Sequence, residues 1–147
     1  MVVLKGLSGG RKIMSKAACF TSLTDKWNTP KSIYEKLDAE FHFDFDPCPE
    51  NPSFDGLERF FEWGDRNFIN PPFSNWQKWV KKGYEQWVQG SLCVFLLAAR
   101  TDTKAFHEYI LPYATEIRFI KGRLKFGGSK HCAPFPSMVV VFDKEVS

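Results

Sequence analysis

The chain has 147 residues, of which 44% are hydrophobic and 25% are charged, and its formal net charge is +3. This length corresponds to a single domain, and 15 Phe and 5 Trp residues supply ample apolar surface for a core. No apolar run reaches the roughly 18 residues that a membrane span needs. The N-terminus also lacks the apolar segment and small-residue cleavage site of a signal peptide.

The cysteine and histidine residues do not predict a metal site. The four cysteines are far apart and form no CxxC pair, and the three histidines show no ligand spacing. We therefore expect no bound metal and reduced, partly buried thiols. The mild positive charge permits nucleic-acid binding without arguing for it by itself.

The N-terminal segment, residues 1–25, is rich in Gly, Ser, Lys and Thr and shows little periodicity. This composition predicts a flexible basic tail, or alternatively an arm that touches nucleic acid. Order is expected to begin near Trp27, so that residues 26–147 form one domain.

The first predicted elements follow this tail. Thr29 suits the N-cap of a helix and Pro30 its first helical position. Apolar residues at four-residue spacing continue this helix over residues 30–40, as in an amphipathic helix. Alternation of phenylalanine with polar residues then predicts a strand over residues 41–46, which prolines bring to an end.

Strands and helices alternate along the rest of the chain. The continuous apolar run 92–98 predicts a strand that is buried on both faces of a sheet. The other predicted elements are strands at 60–63 and 66–70, helices at 74–89 and 103–113, and strands at 117–120 and 138–142. This order predicts an α/β fold with a mostly parallel sheet and an antiparallel C-terminal edge.

Polar residues stand just past three predicted strands, at Asp46-Pro47, Asn70-Pro71 and Arg100-Thr101. Ligands of open α/β sheets bind outside the carboxyl ends of the strands. The three segments are therefore expected to converge on one crevice.

The motif Asn70-Pro71-Pro72-Phe73 suits the methylation of a planar amine. The exocyclic amine of adenine is a poor nucleophile, and two acceptors aimed at its N–H bonds favour the geometry needed for attack. The Asn70 side chain supplies one acceptor and the Pro71 carbonyl the other, because each proline ring fixes φ. Phe73 offers a face on which a flat base can stack. A proline-rich turn that merely ends a strand is the structural alternative.

Taken together, these segments resemble the phage-type DNA N6-adenine methyltransferases, a small Dam-like family. The matching segments, within residues 24–143, are Trp27-x-Thr29-Pro30, Phe45-Asp46-Pro47-Cys48, Asn70-Pro71-Pro72-Phe73, residues 97–103, Gly122-Arg123-Leu124-x-Phe126 and Pro134-Phe135-Pro136-Ser137. The resemblance implies a Rossmann-like class I methyltransferase fold of reduced size over residues 26–147. Such an enzyme would transfer a methyl group from S-adenosylmethionine to the N6 amine of adenine in double-stranded DNA.

The resemblance also implies roles for individual residues. The catalytic motif is matched by Asn70, Pro71, Pro72 and Phe73, and cofactor contacts are implied for Trp27, Thr29, Pro30, Asp46, Pro47 and Cys48. The chain departs from many methyltransferases because no Gly-x-Gly loop follows Asp46. The acidic residue that binds the cofactor ribose is left open among Glu50, Glu62 and Asp65.

The chain has no room for a large target-recognition domain, so DNA is expected to be held by loops of the core or by a homodimer. Basic residues near the predicted Gly-rich turn suit contacts with phosphates. The candidates are Arg123 first, then Lys121, Lys125, Lys130 and Arg100, with an ordinary solvated hairpin as the alternative. We expect a cytoplasmic protein, in a host bacterium if a phage encodes it.

Two other functions fit the same motif. Enzymes that methylate RNA bases or glutamine side chains also use an Asn-Pro-Pro-aromatic turn, because that turn recognises a planar amine and not what carries it. The second of these functions is that of a nucleic-acid-binding relative without catalytic activity, and the missing glycine loop is the feature that favours it.

Overall fold

A computed structural model describes residues 3–8, 28–125 and 132–144 of the chain. The strands are β1 Val3–Ser8, β2 Arg66–Ile69, β3 Leu92–Ala98, β4 Glu116–Lys121 and β5 Ser137–Phe142. The helices are α1 Lys31–Phe41, α2 Trp76–Val88 and a π-helical segment Phe106–Ile110 that continues into the short helix α3 Leu111–Tyr113. The five strands form one sheet in the order β1-β4-β5-β3-β2.

The sheet is mixed, and four of its strands run in the same direction. Strand β2 pairs with β3 in parallel, and β1 pairs with β4 in parallel. Strand β5 is antiparallel to both β3 and β4 and lies between them. The predicted α/β fold is confirmed, but two of the four strand pairings are parallel and two are antiparallel, and the antiparallel strand is internal and not at an edge. Every residue of β5 is buried, as expected for a strand covered on both faces.

The N-terminal segment contains a strand that the sequence analysis did not predict. Val3–Ser8 pairs in register with Glu116–Lys121 at the edge of the sheet, in a part of the chain that was predicted to be a flexible tail. Residues 9–27 lie outside the described residues, so the division into a tail and one domain stays a prediction.

Helices cover both faces of the sheet. Residues Ile33, Leu37 and Phe41 of α1 pack against one face, where they meet the side chains of Phe68 and Val94. Helix α2 and the π-helical segment pack against the other face. The sheet is therefore the middle layer of an α/β/α sandwich, and apolar side chains fill both interfaces.

Three predicted elements differ from the structure. The predicted strand at 41–46 is a non-regular segment with a single parallel bridge, between Phe45 and Asn67. Helix α1 continues through Phe41 and ends at His42, which has a left-handed conformation with φ of 54°. The predicted strand at 60–63 is irregular chain, and the predicted helix at 103–113 contains the π-helical segment.

An ion-pair cluster fastens α1 to the sheet. The guanidinium of Arg118, on β4, donates to both carboxylate oxygens of Glu40 and to Glu116 Oε1, with Nη1–Oε1 of Glu40 at 2.7 Å and Nη2–Oε1 of Glu116 at 2.8 Å. The same guanidinium lies over the ring of Phe41. These contacts fix the C-terminal end of α1, so the direction in which its N-terminal end points is also fixed.

The cysteines only partly match the expected reduced state. Cys48 and Cys93 are free and buried, and burial raises the pKa of the Cys93 thiol. Cys132 is disulfide-bonded, contrary to expectation. Within the described ranges, no helix is both long and apolar enough to cross a bilayer.

Substitution of Gly83 tests how closely α2 packs on the sheet. A Cβ at Gly83 would lie 2.4 Å from Cζ of Phe95, a side chain that is fully buried. Although Gly to Ala normally favours a helix by about 1 kcal/mol, we expect Gly83→Ala to lower the free energy of unfolding by about 1–3 kcal/mol through overpacking. Urea denaturation measures this change. Lys81→Ala, on the exposed side of the same helix, should change stability little, and a stabilised Gly83→Ala variant would contradict the packing.

Candidate functional site

The carboxyl ends of three strands bring polar residues to one edge of the sheet. Asn70 follows β2, Arg100 lies two residues beyond β3, and Arg123 lies two residues beyond β4. The segment bridged at Phe45 runs parallel to β2 and delivers Asp46 to the same edge. The three predicted segments therefore share one end of the sheet, but they line two separate cavities with Asn70 between them and not the single crevice that was predicted.

Asn70 stands at the centre of this edge and borders two clefts. Its side chain is 8% exposed, and its amide nitrogen Nδ2 donates to the hydroxyl Oγ1 of Thr29 at 3.0 Å. This bond orients the amide, because it assigns the nitrogen to the α1 side and turns the carbonyl oxygen Oδ1 the other way.

The same bond corrects the predicted start of α1. Thr29 was predicted to be the N-cap, but the N-cap is Pro30, which makes no side-chain cap. The carbonyl of Pro30 accepts from the backbone N–H groups of Ile33 and Tyr34. The Thr29 hydroxyl is directed instead at Asn70, and so it serves the site and not the helix.

The first cleft lies between the start of α1 and the end of the bridged segment. It has a volume of about 300 Å³ and is lined by Asn28, Thr29, Asp46, Cys48, Glu50 and Asn70. This volume is at the lower end of the range for small-molecule sites. Two carboxylates make the cleft acidic, which favours a ligand that carries positive charge.

The negative charge also acts on a neighbouring hydroxyl. Burial raises the pKa of Tyr34, on the first turn of α1, and the carboxylates of Asp38 and Asp46 raise it further. Tyr34 therefore stays protonated and neutral beside the cleft.

A compact loop holds Asp46 in place without a glycine-rich turn at that position. The Asp46 side chain accepts from the backbone N–H of Cys48 at 2.8 Å, so this carboxylate caps the turn that follows it. Further along the loop, a Cβ at Gly56 would lie 2.1 Å from the carbonyl oxygen of Pro47. The glycine that this site needs is thus Gly56, which lets the returning loop pass close behind Pro47.

Stacked aromatic rings hold the same loop against the sheet. The rings of Phe54 and Phe61 are 4.9 Å apart and nearly parallel, and Phe45 packs against both. Such pairs prefer this offset-stacked arrangement. The loop that carries the acidic cleft is therefore anchored by its own side chains.

The second cavity lies on the other side of Asn70. It is lined by Asn70, Pro71, Phe73, Trp76, Leu96, Leu97, Ala98, Arg100 and Phe135, and its volume is about 10 Å³. A space of this size holds one water molecule at most. The rings of Phe73 and Phe135 close it, edge to face, with centroids 4.8 Å apart.

The structure brings together many of the predicted site residues, but not all of them. Thr29, Asp46 and Cys48 are among the described residues that line the first cleft. Pro30 and Pro47 are not among those lining residues. Of the catalytic motif, Asn70, Pro71 and Phe73 line the second cavity, and Pro72 does not. Trp27 and Lys130 lie outside the described residues.

The basic candidates lie along the same edge. Arg100 is exposed and lines the second cavity. Lys121 is exposed at the end of β4, and Arg123 and Lys125 are half-buried just beyond it. All four therefore occupy the end of the sheet that carries Asn70.

Sequence reasoning missed several lining residues. Asn28 was not considered, Trp76 was assigned only to a helix, and Phe135 was noted only as part of a motif. The Pro134-Phe135-Pro136 segment carried a usable signal, since two prolines hold the intervening side chain in a restricted backbone. Its proximity to Asn70 could not be predicted, because it depends on the internal position of β5.

Comparison with known proteins decides the family. The family model for DNA N-6-adenine-methyltransferase (Dam) matches residues 16–145, nearly the whole chain. The chain belongs to the Dam family. No curated protein and no solved structure matches it significantly. The Dam family's description names methylation of adenine in DNA, and the resemblance inferred from the sequence motifs is confirmed.

The Asn70–Thr29 bond can be tested in this Dam-family chain. Thr29→Val keeps the shape of the side chain but removes the acceptor, so the Asn70 amide loses its orienting partner. We expect methyl transfer at saturating substrates to fall roughly fivefold, the equivalent of one hydrogen bond. The measurement is a radiolabelled methyl-transfer assay with a thermal melt of each variant.

The matched control is Thr115→Val. Its hydroxyl donates to the Asp143 carbonyl at 2.8 Å, at the opposite end of the sheet. The same hydroxyl accepts from the Asp143 N–H at 2.9 Å, so this variant should lose at least as much stability as Thr29→Val and keep its transfer rate. Equal rates for both variants would contradict an orienting role for Thr29.

Proposed function

We propose that the protein transfers a methyl group from S-adenosylmethionine to the N6 amine of adenine in DNA, on a Rossmann-like class I methyltransferase fold. The observation that carries this proposal is the position of Asn70, which borders an acidic cleft on one side and an aromatic cavity on the other. A methyl transferase needs such an arrangement, because donor and acceptor must meet at one point.

The acidic cleft suits the cofactor. When bound, S-adenosylmethionine supplies a methyl group on a positively charged sulfonium. Asp46 and Glu50 would favour its cationic groups, and Thr29 and Cys48 would complete the lining. The resemblance adds Trp27 and Pro30 as contacts around the methionine end, and Pro47 as part of the first cofactor motif.

The aromatic cavity suits the base. The Asn70 carbonyl oxygen and the Pro71 backbone carbonyl would accept from the two N–H bonds of the adenine amine, and Phe73 would stack on the ring. Chemistry on a base requires its removal from the duplex stack. The cavity is water-sized, so the base enters only when the rings of Phe73 and Phe135 move apart.

Catalysis in this scheme consists of positioning and polar preorganisation. The two acceptors hold the amine in a tetrahedral arrangement, with its lone pair directed toward the acidic cleft. After transfer the amine releases one proton to solvent, since a methylated adenine ammonium is strongly acidic. The chain needs no nucleophile of its own, and the buried Cys93, whose pKa is raised, supplies none.

The DNA strand would run along the basic edge. Arg100, Lys121, Arg123 and Lys125 stand at the carboxyl ends of β3 and β4, where they can neutralise phosphates next to the extruded base. The Dam family match favours this substrate over RNA bases and glutamine side chains, and it favours an enzyme over a binding module without activity.

Asn70→Ala tests the function directly. Incubation of the wild-type protein with unmethylated plasmid and S-adenosylmethionine should produce N6-methyladenine, identified by nucleoside mass spectrometry and mapped to its sequence context. We expect Asn70→Ala to lower the transfer rate by about 10²–10³-fold, because a preorganised polar contact is lost, while calorimetry still detects cofactor binding. Absence of N6-methyladenine with wild-type protein that binds the cofactor would refute the assignment.

Three acidic residues are candidates for the contact with the cofactor ribose, and their positions relative to the sheet support one of them. Glu50 lines the acidic cleft. Asp65 precedes β2, and its carbonyl accepts from Leu92 N at the amino end of β3. Glu62 adjoins Trp63, whose backbone N–H donates to the side-chain oxygen of Gln86 near the end of α2. Both alternatives thus lie near the amino ends of the strands, at the opposite end of the sheet from the acidic cleft. We therefore propose Glu50 for the ribose contact.

Glu50→Gln should weaken S-adenosylmethionine binding by about tenfold, because hydrogen bonds to a carboxylate are stronger than those to an amide. Isothermal calorimetry measures the dissociation constant. Asp65→Asn and Glu62→Gln are matched controls that should leave it unchanged. If either control weakened S-adenosylmethionine binding and Glu50→Gln did not, the assignment of the ribose contact to Glu50 would be wrong.

A further inference from the structure

Ser137 carries a buried hydroxyl that has no assigned role. Its side chain is 1% exposed, and its Oγ has no hydrogen-bond partner among the residues that the structure describes. Ser137 is the first residue of β5. The great majority of buried side-chain polar atoms in native proteins are paired, so each exception calls for an explanation.

The register places Ser137 directly opposite a residue that lines the aromatic cavity, although Ser137 itself does not line it. Ser137 is paired with Ala98, and Ala98 lines the cavity. Directly opposite residues of an antiparallel pair point to the same face of the sheet. The preceding Pro136 is also fixed, because its carbonyl accepts from Ala99 N at 2.9 Å.

The same face of the sheet carries Asn70. Phe68 lies on the α1 side, and side chains alternate along a strand, so Asn70 continues that side two residues later. Ala98 belongs to the same α1-side cluster, as does Phe135. Ser137, Asn70 and the ring of Phe135 therefore share one face at one edge of the sheet.

A buried hydroxyl without a protein partner lowers stability, so another benefit is expected at this position. Movement of Phe135 away from Phe73, which base entry requires, would uncover the α1-side face where Ser137 lies. The group that then arrives is a purine with acceptor ring nitrogens close to its amine. A serine hydroxyl can donate to such a nitrogen.

We propose that Ser137 Oγ donates a hydrogen bond to a ring nitrogen of the extruded adenine, and so orients the base whose amine Asn70 and Pro71 hold. This inference rests on the proposed function. It assigns Ser137 as a residue that contacts substrate, with the ring-nitrogen acceptor as the feature it recognises. Guanine carries a carbonyl in place of the amine and a protonated N1, and would match this set of groups poorly.

The test combines base analogues with a variant. Duplexes that carry the mapped target site are made with adenine, 1-deazaadenine, 3-deazaadenine or 7-deazaadenine at the methylated position, and kcat/KM is measured for each. For the wild-type protein, loss of the contacted nitrogen should lower kcat/KM roughly threefold to tenfold, as for one hydrogen bond. With adenine, the kcat/KM of Ser137→Ala should be lower than that of the wild type by the same factor. Replacing adenine with the analogue that lacks the contacted nitrogen should not lower the kcat/KM of Ser137→Ala any further.

Ser91→Ala is the matched control. The Ser91 hydroxyl donates to the Gly64 carbonyl at 3.1 Å, far from the site at the amino end of β3. This variant should be destabilised slightly and should show the wild-type penalty for every analogue. Ser137→Ala should unfold at the same or a higher urea concentration than wild type, because it removes an unpaired buried hydroxyl.

Two outcomes would overturn the role of Ser137. One is a Ser137→Ala variant that keeps the full wild-type penalty for all three analogues, as expected if water alone satisfies the hydroxyl. The other is a marked loss of stability in Ser137→Ala, which would indicate a structural bond. Either result leaves the proposed function standing as long as adenine is methylated, whereas absence of adenine methylation by the wild type would overturn both.

Discussion

The hydrogen bond between Asn70 and Thr29 is the constraint on which the site depends. It joins the carboxyl end of β2 to the N-terminal approach of α1, two segments that are 41 residues apart in sequence. The bond separates the acidic cleft from the aromatic cavity and fixes which atom of the amide faces each. Helix α1 can serve as the fixed side of this contact because Arg118 and Glu40 hold its other end to β4.

Local sequence patterns predicted much of this architecture. The apolar run of β3 gave its bounds, the spacing of Ile33, Leu37 and Phe41 gave the core face of α1, and both were confirmed. The Asn70-Pro71-Pro72-Phe73 turn was correctly placed after a strand. These features are set by side-chain periodicity and by the fixed φ of proline, which act within a few residues.

The features that were missed depend on contacts between distant segments. Strand β1 shows no alternation and is stabilised by pairing with β4. The edge position predicted for β5 was wrong because strand order is not encoded locally, although the uninterrupted apolar run 138–142 is typical of an internal strand. The predicted N-cap role of Thr29 was also wrong because of a contact between distant segments. The Thr29 hydroxyl accepts a hydrogen bond from the side chain of Asn70, which belongs to another element.

The internal position of β5 has a consequence for how the molecule assembles. Strands β3 and β4 have no hydrogen bonds to each other and meet only through β5, which follows both along the chain. The sheet thus stays in two halves until that last strand inserts, with an unpaired edge exposed on each. Contacts of such long sequence separation slow folding. Because Phe135 arrives with this strand, a partially folded or nascent chain has no aromatic cavity, and the ability to engage a base appears only when the sheet is complete.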